Sequence, residues 1–128
     1  MITIVIPTYN EEKNISKIFD KLKNIRFISE IIFVDDNSSD KTKYELVKLK
    51  KNKKLRFFIR NEKQRDLSKS VIFGFHKSKN NTILVMDCDL QHDPKYIKKL
   101  WTYLKGNEYD IVVASRFLNK NYSGNVSY

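Results

Sequence analysis

The run TILVMDCDLQHDP, residues 82–94, passes from five uncharged residues directly into three carboxylates, and that transition decides the fold. Residues 82–86 read as a buried strand, and Asp87, Asp89 and Asp93 stand where the strand should meet water. Two carboxylates about 5 Å apart repel by roughly 3 kcal/mol at an effective dielectric of ~20. A divalent cation would offset that repulsion. Asp89 and the side-chain amide oxygen of Gln91 are hard oxygen donors, suited to Mg2+ or Mn2+ rather than zinc.

Four more apolar runs recur at near-regular spacing, at residues 2–6, 30–34, 55–59 and 110–114. They are rich in Ile, Val and Phe with little polar alternation, the pattern of strands covered on both faces. Between them lie helical periods. Ile15, Ile18, Phe19, Leu22 and Ile25 form one stripe, and Leu67, Val71, Phe75 and Ser78 another. Residues 42–49 form a weaker helix with Leu46 and Leu49 inward. In the last helix Asp93 caps, Pro94 takes the first position, and Ile97, Leu100, Trp101 and Leu104 precede a stop at Gly106. The expected fold is α/β, an open, mostly parallel sheet with helices on both faces. Its functional edge lies at the carboxyl ends of the strands. Polar clusters fall at that edge, at residues 7–12, 35–40, 60–66, 87–93 and 115–117. One domain is expected over residues 1–118, with residues 119–128 as a frayed tail.

Composition narrows the classes. Hydrophobic content of 41% excludes a disordered chain despite 31% charged residues. The formal charge of +10 is concentrated at Lys41, Lys43, Lys48, Lys50, Lys51, Lys53 and Lys54. Such a cluster is either a solvated helix face or an attractor of polyanions and acidic lipid head groups. Phe57, Phe58 and Phe73 lie inside apolar patterns instead of alternating with basic residues, so no nucleic-acid partner is expected. The single cysteine, Cys88, forms no internal disulfide and reads as a small packed residue. No run approaches the ~18 apolar residues of a membrane span and no leader is apparent. A soluble cytoplasmic protein, in peripheral contact with a membrane or a partner subunit, is the expectation.

Within VDDNSSD, residues 34–40, Asp35 or Asp36 could bind ribose hydroxyls or base edges, while Ser39 or Asp40 starts the next helix. In PTYNEE, residues 7–12, Glu11 and Glu12 complement a helix dipole and Tyr9 could pack on a nucleobase. Arg60, Arg65 and Arg116 stand at strand ends, where guanidinium groups could bind phosphate. His76 reads as a surface or packed residue, and His92 as a shaper of its turn. No Gly-x-x-x-x-Gly-Lys loop, Cys-x-x-Cys pair or His-Glu-x-x-His element occurs, which disfavours phosphate-loop ATPases and zinc hydrolases.

Five segments in order carry a resemblance: IVIPTYNEEKNI at 4–15, FVDDNSSDKT at 33–42, RDLSKSVIFGF at 65–75, MDCDLQHDP at 86–94 and VVASRF at 112–117. Together they resemble the family 2 glycosyltransferases of GT-A fold, nearest the polyprenyl-phosphate sugar transferases of the dolichol-phosphate mannose synthase type. The resemblance implies a Rossmann-like nucleotide-binding half in which Pro7, Tyr9, Glu11 and Asp36 line the nucleotide pocket. It places Asp87 near the ribose or diphosphate and assigns the metal to Asp89 and Gln91; Arg65, from its place at a strand end, joins the expected substrate-binding residues. Arg116 would face the diphosphate or the acceptor phosphate, making Asp89 and Arg116 the catalytic pair. The implied reaction moves a sugar from a GDP- or UDP-linked donor to a polyprenyl phosphate with inversion. Such an acceptor is already an anion, so the absence of an obvious general base is consistent with it.

Two departures stand out. Asp66 occupies the place where the family usually has glycine, and the chain ends about ten residues beyond Ser115, Arg116 and Phe117, short of the family's acceptor-binding half. The alternative is therefore a non-catalytic or split nucleotide-sugar-binding module. A haloacid-dehalogenase phosphatase shares Asp-x-Asp after a strand but continues with Gly-Thr, where this chain has Leu90 and Gln91.

Overall fold

The computed structural model describes residues 1–106 and 109–115. The chain divides into two compact units, Met1–His92 and Asp93–Tyr128. In the first the order is β1 (Ile2–Thr8), α1 (Ile15–Leu22), β2 (Ile28–Asp35), α2 (Thr42–Leu49), β3 (Leu55–Ile59), α3 (Leu67–Lys77) and β4 (Ile83–Val85). The four strands are all parallel, in the order β3-β2-β1-β4.

That order explains where the helices lie. Two successive right-handed crossovers step from β1 to β2 to β3 and put α1 and α2 on one face. The next crossover returns past β2 and β1 to β4 and puts α3 on the other. The chain reverses direction across the sheet between β1 and β4, and at that switch point two strand ends splay apart.

Strand alternation sorts the core into two layers. Val5, Ile32 and Val34 cluster on the α3 side, with Phe58, Phe73 and Ile83 packed against them. Phe58 and Phe73 meet edge to face at 5.5 Å. Ile4, Ile6, Ile31 and Phe33 have the opposite parity and are fully buried, as is the α1 stripe Ile15, Ile18 and Leu22, with Phe19 at 2% exposure. The sheet approaches α3 most closely at Gly74, where a Cβ would lie 2.4 Å from Val5 Cγ1 and 3.1 Å from Cγ2. Gly74→Ala is therefore expected to destabilise by about 1–3 kcal/mol in urea denaturation, with Val5→Ala recovering part of the loss in the double variant. Additive losses would contradict this contact.

At the amino ends of the strands Glu30, 4% exposed, is the centre of a polar network. It accepts from Thr3 Oγ1 at 2.8 Å, Arg56 Nη1 at 2.5 Å and the Lys79 amide at 2.9 Å. Burial pushes its pKa up, but the Lys79 amide, Arg56 and Thr3 outweigh that and hold it below the usual value of 4.5. A lowered folded-state pKa gives stability that is fully present above pH 4.5, where the unfolded group is ionised, and lost as pH falls through the folded value. Glu30→Gln should flatten the acid limb of a stability-against-pH curve; superimposable limbs would contradict the assignment.

In the second unit Asp93 accepts from the Lys95 amide at 3.0 Å and starts a 3-10 turn, Pro94–Tyr96, which leads into α4 (Ile97–Gly106). The expected cap and helix are both present, with the first turn tighter than an α-helix. The fifth expected strand, at residues 110–114, does not form. Ile111 and Val113 remain 79% and 76% exposed. Without burial or a ladder partner, β-propensity alone does not hold a strand. Among the described residues no helix is long and apolar enough to cross a membrane. The expected tail lies outside the described residues.

Candidate functional site

Parity on β1 opens the site. Thr3 N donates to Thr82 O and Val5 O accepts from Met86 N, so odd residues of β1 turn their polar groups toward β4. β4 pairs only as far as Val5. Pro7, next of that parity, meets no strand there, and its missing N–H leaves no orphaned donor. Here a cleft of about 350 Å³ opens. Pro7, Thr8, Tyr9 and Glu11 line it from β1 and its loop, and Asp36 from the end of β2. Arg65, Asp66, Leu67 and Ser70 border it at the start of α3, and Asp87, Cys88 and Asp89 beyond β4. Its volume is at the low end of the ~300–1,000 Å³ usual for small-molecule sites.

The loops after β1 and β2 are joined by hydrogen bonds that no local pattern announces. Asn10 N donates to Ser38 Oγ at 2.9 Å, and Asn10 Oδ1 accepts from Ser39 N at 2.9 Å. Glu11 N donates to Thr42 Oγ1 at 2.8 Å, and Lys41 N to Glu12 Oε2 at 2.9 Å. Asn10 and Asn37 take left-handed φ of 55° and 58°, which Asn tolerates better than most residues. Glu12 thus serves the start of α2, not the dipole of α1. The N-cap position of α2 is Lys41, with no side-chain cap; just before it Asp40 Oδ1 accepts from Thr42 N at 2.9 Å, and Ser39 does not cap the helix. Asn10 and Thr42 were missed by sequence reasoning; their only signal is a preference for loops and caps.

The acids at this edge differ in how far they are committed. Asp35 is fully buried and accepts from Ser38 N at 3.0 Å and from Ser38 Oγ. Asp36 lines the cleft, but Oδ1 accepts from Arg60 Nη1 at 3.1 Å and Oδ2 from Asp66 N at 2.7 Å. Glu11 Oε2 accepts from Asn14 Nδ2 at 2.7 Å. Asp66 caps α3 through Lys69 N at 3.0 Å. Asp87 and Asp89 are exposed. Asp87 Oδ2 lies 3.8 Å from His92 Nδ1, and that nitrogen also faces the Asp87 amide at 3.4 Å, so His92 shapes the turn. Asp89 Oδ1 accepts from Gln91 N at 3.0 Å across Leu90, whose φ of 65° is a strained, left-handed value for leucine.

The three arginines separate. Arg60 is 5% exposed and does not line the cleft, contrary to its reading as a phosphate ligand. Its Nη1 donates to Asp36, to Asp66 O and to Ser70 Oγ, and Nη2 lies 2.8 Å from Glu62 Oε2 without a well-aligned hydrogen bond. Arg65 does line the cleft, its guanidinium 4.2 Å from the centre of the Tyr9 ring. Arg116 lies outside the described residues. Cys88 is 2% exposed, and burial, reinforced by Glu11, Asp89 and Asp87, pushes its thiol well above the usual range. It is a packed residue and not a nucleophile.

The cleft therefore gathers Pro7, Tyr9, Glu11, Asp36, Arg65, Asp87 and Asp89, while Gln91 is not among its lining residues. Its charged lining is five carboxylates, Glu11, Asp36, Asp66, Asp87 and Asp89, against one guanidinium, Arg65. Among the described residues no three of His, Cys, Asp and Glu group as ligands for one ion. Asp87 and Asp89, exposed carboxylates of the lining, are hard oxygen donors of the kind that suits Mg2+ or Mn2+, ions commonly held by one or two carboxylates with water and substrate phosphates.

The profile described as "Glycosyl transferase family 2" matches residues 3–126. A dolichol-phosphate mannosyltransferase of Pyrococcus furiosus is 37% identical over 119 residues, 91% of this chain and 33% of that protein. A solved structure of glucosyl-3-phosphoglycerate synthase from Mycobacterium tuberculosis, in complex with UDP, superposes with a TM-score of 0.71 at 20% identity. The match covers 84% of this chain and 41% of that one. A mannosyltransferase from Pyrobaculum calidifontis, in complex with GDP-Man and Mn2+, superposes at 0.63 with 20% identity, over 69% of this chain and 27% of that one. At such identity both structures speak for the fold alone, which is that of GT-A glycosyltransferases. The chain spans between a third and a half of the length of the curated relatives it matches.

Proposed function

The chain belongs to glycosyl transferase family 2, and from that premise we propose that it binds a GDP- or UDP-linked sugar together with Mg2+ or Mn2+ and passes the glycosyl group to a polyprenyl phosphate. The observation that carries this reading is the charge of the cleft, five carboxylates to one guanidinium at the sheet's switch point. A diphosphate does not enter such a lining unless a cation enters with it.

Each lining residue has a distinct task under this reading. Tyr9 offers a ring for the nucleobase, and the Arg65 guanidinium stacked 4.2 Å from it reaches the phosphates. Asp36, held in place by Arg60 and the Asp66 amide, presents its carboxylate edge to base or ribose. Asp87 serves ribose or diphosphate. Asp89 would hold the cation, with Gln91 its expected companion, and Arg116 would meet the diphosphate or the acceptor phosphate. A bound divalent ion supplies charge stabilisation for the departing nucleoside diphosphate. In the transfer an acceptor phosphate oxygen bonds to the anomeric carbon as the bond to the donor's phosphate oxygen breaks, with inversion. The acceptor oxygen is already anionic, so no side chain need remove a proton. Such an acceptor would put the protein beside a membrane.

Calorimetric titration with UDP- and GDP-sugars, with and without Mn2+, tests the reading. One donor series should bind with metal-enhanced affinity; no metal enhancement with any of them would overturn it.

A further inference from the structure

The outer face of α2 and the turn that follows it are strongly cationic. Residues 41–54 hold seven lysines, no arginine and one acid, Glu45. That acid is engaged, with Oε1 2.7 Å from Lys48 Nζ and Oε2 3.5 Å from Ser16 Oγ. At about 3.6 residues per turn, Tyr44 and Val47 fall on one outward stripe of α2, with Lys43 and Lys48 on its two flanks and the exposed Lys50 and Lys51 just beyond its end. Tyr44 and Val47 are 60% and 55% exposed. Lys48 Nζ lies 4.4 Å from the centre of the Tyr44 ring. The neighbouring helix α1 continues the charge with exposed Lys17 and Lys21, while its one acid, Asp20, is paired with Lys23 at 2.6 Å.

We propose that this face of α2 and α1 is a docking surface for an anionic lipid bilayer. Charge complementarity selects the occupant. Lysines ringing an exposed Tyr and Val place their cations at head-group level while the two apolar side chains enter the interface. A nucleic acid would ask for several aromatic platforms interleaved with the cations, and this face has one. The surface is distinct from the cleft, since neither Tyr44 nor Val47 lines it, and the proposal does not rest on the glycosyl-transfer reading.

Flotation of the full chain with phosphatidylcholine vesicles, with and without phosphatidylglycerol, tests it in the absence of any nucleotide sugar. Binding should require phosphatidylglycerol and weaken with salt. Lys43→Glu/Lys50→Glu/Lys51→Glu should lower partitioning at least about a hundredfold, at roughly fivefold per lysine removed. Tyr44→Ser/Val47→Ser should lower it severalfold while leaving the salt dependence unchanged. Lys98→Glu/Lys99→Glu/Lys105→Glu in α4, with the same net charge, should lower it far less. The proposal is overturned by absence of flotation, by equal loss in the α4 variant, or by DNA binding that outcompetes vesicles and shows the same α2 dependence. All substituted side chains except the half-buried Lys43 are exposed, and urea midpoints near wild type will show that the variants are folded.

Discussion

Asp89→Ala is expected to remove the Mn2+-dependent part of nucleotide-sugar affinity, on the order of a hundredfold, or about 2.7 kcal/mol. The size follows from the arrangement of the lining. Glu11, Asp36 and Asp66 already accept hydrogen bonds from Asn14, from Arg60 and the Asp66 amide, and from the Lys69 amide. Asp89 is exposed, and among the described residues only its Oδ1 is engaged, by the Gln91 amide. Removing it leaves the fold nearly untouched and relieves repulsion, so affinity without metal should hold or rise slightly while affinity with metal collapses. Gln91→Ala should cost less, because a neutral amide oxygen attracts a cation more weakly than a carboxylate does. Donor titrations with and without Mn2+ read both effects. An Asp89→Ala protein with undiminished metal enhancement would end the assignment.

Arg60→Met is expected to cost about 3–5 kcal/mol of folding stability, because it strands a buried carboxylate. The Arg60 and Asp36 side chains are only 3% and 8% exposed. Their pair also carries the Asp66 carbonyl, the Ser70 hydroxyl and the Asp66 amide, which together fix the loop from β3 into α3. The double variant Arg60→Met/Asp36→Leu should recover part of the loss, since removing both charges leaves neither unpaired. Urea denaturation measures both, and a single-variant cost below about 1 kcal/mol would refute the argument, as pairs that cheap are ordinarily solvent-exposed. Donor affinity should fall as well in Arg60→Met, through misplacement of Asp36 and not through loss of a phosphate contact.

The contrast between Arg60 and Arg65 shows how far a linear reading reaches. Both follow β3, both carry the same charge, and both suit phosphate. One is consumed inside the protein and the other stacks on Tyr9 in the cleft. Asp35 and Asp36 divide in the same way, one closed within its own turn and the other at the cleft wall. Residues 110–114 have strand composition yet form no strand, since propensity without a covered face does not fix backbone.

Amino-acid order alone determined the four paired strands, the helices between them, the parallel sheet and the edge at which the acids gather, because unbroken apolar runs and a 3.6-residue period are local properties. It did not determine the buried face of α3, where Ser70 and Gly74 are covered and Leu67 and Phe75 of the expected stripe stay exposed. Tertiary structure decided which acids and arginines remain available to a ligand. Asn10 meets Ser38 and Glu11 meets Thr42 across 28 and 31 residues, and Asp36 meets Arg60 across 24. Partners so far apart in the chain leave no pattern in either segment, and burial gives chemically identical side chains different work.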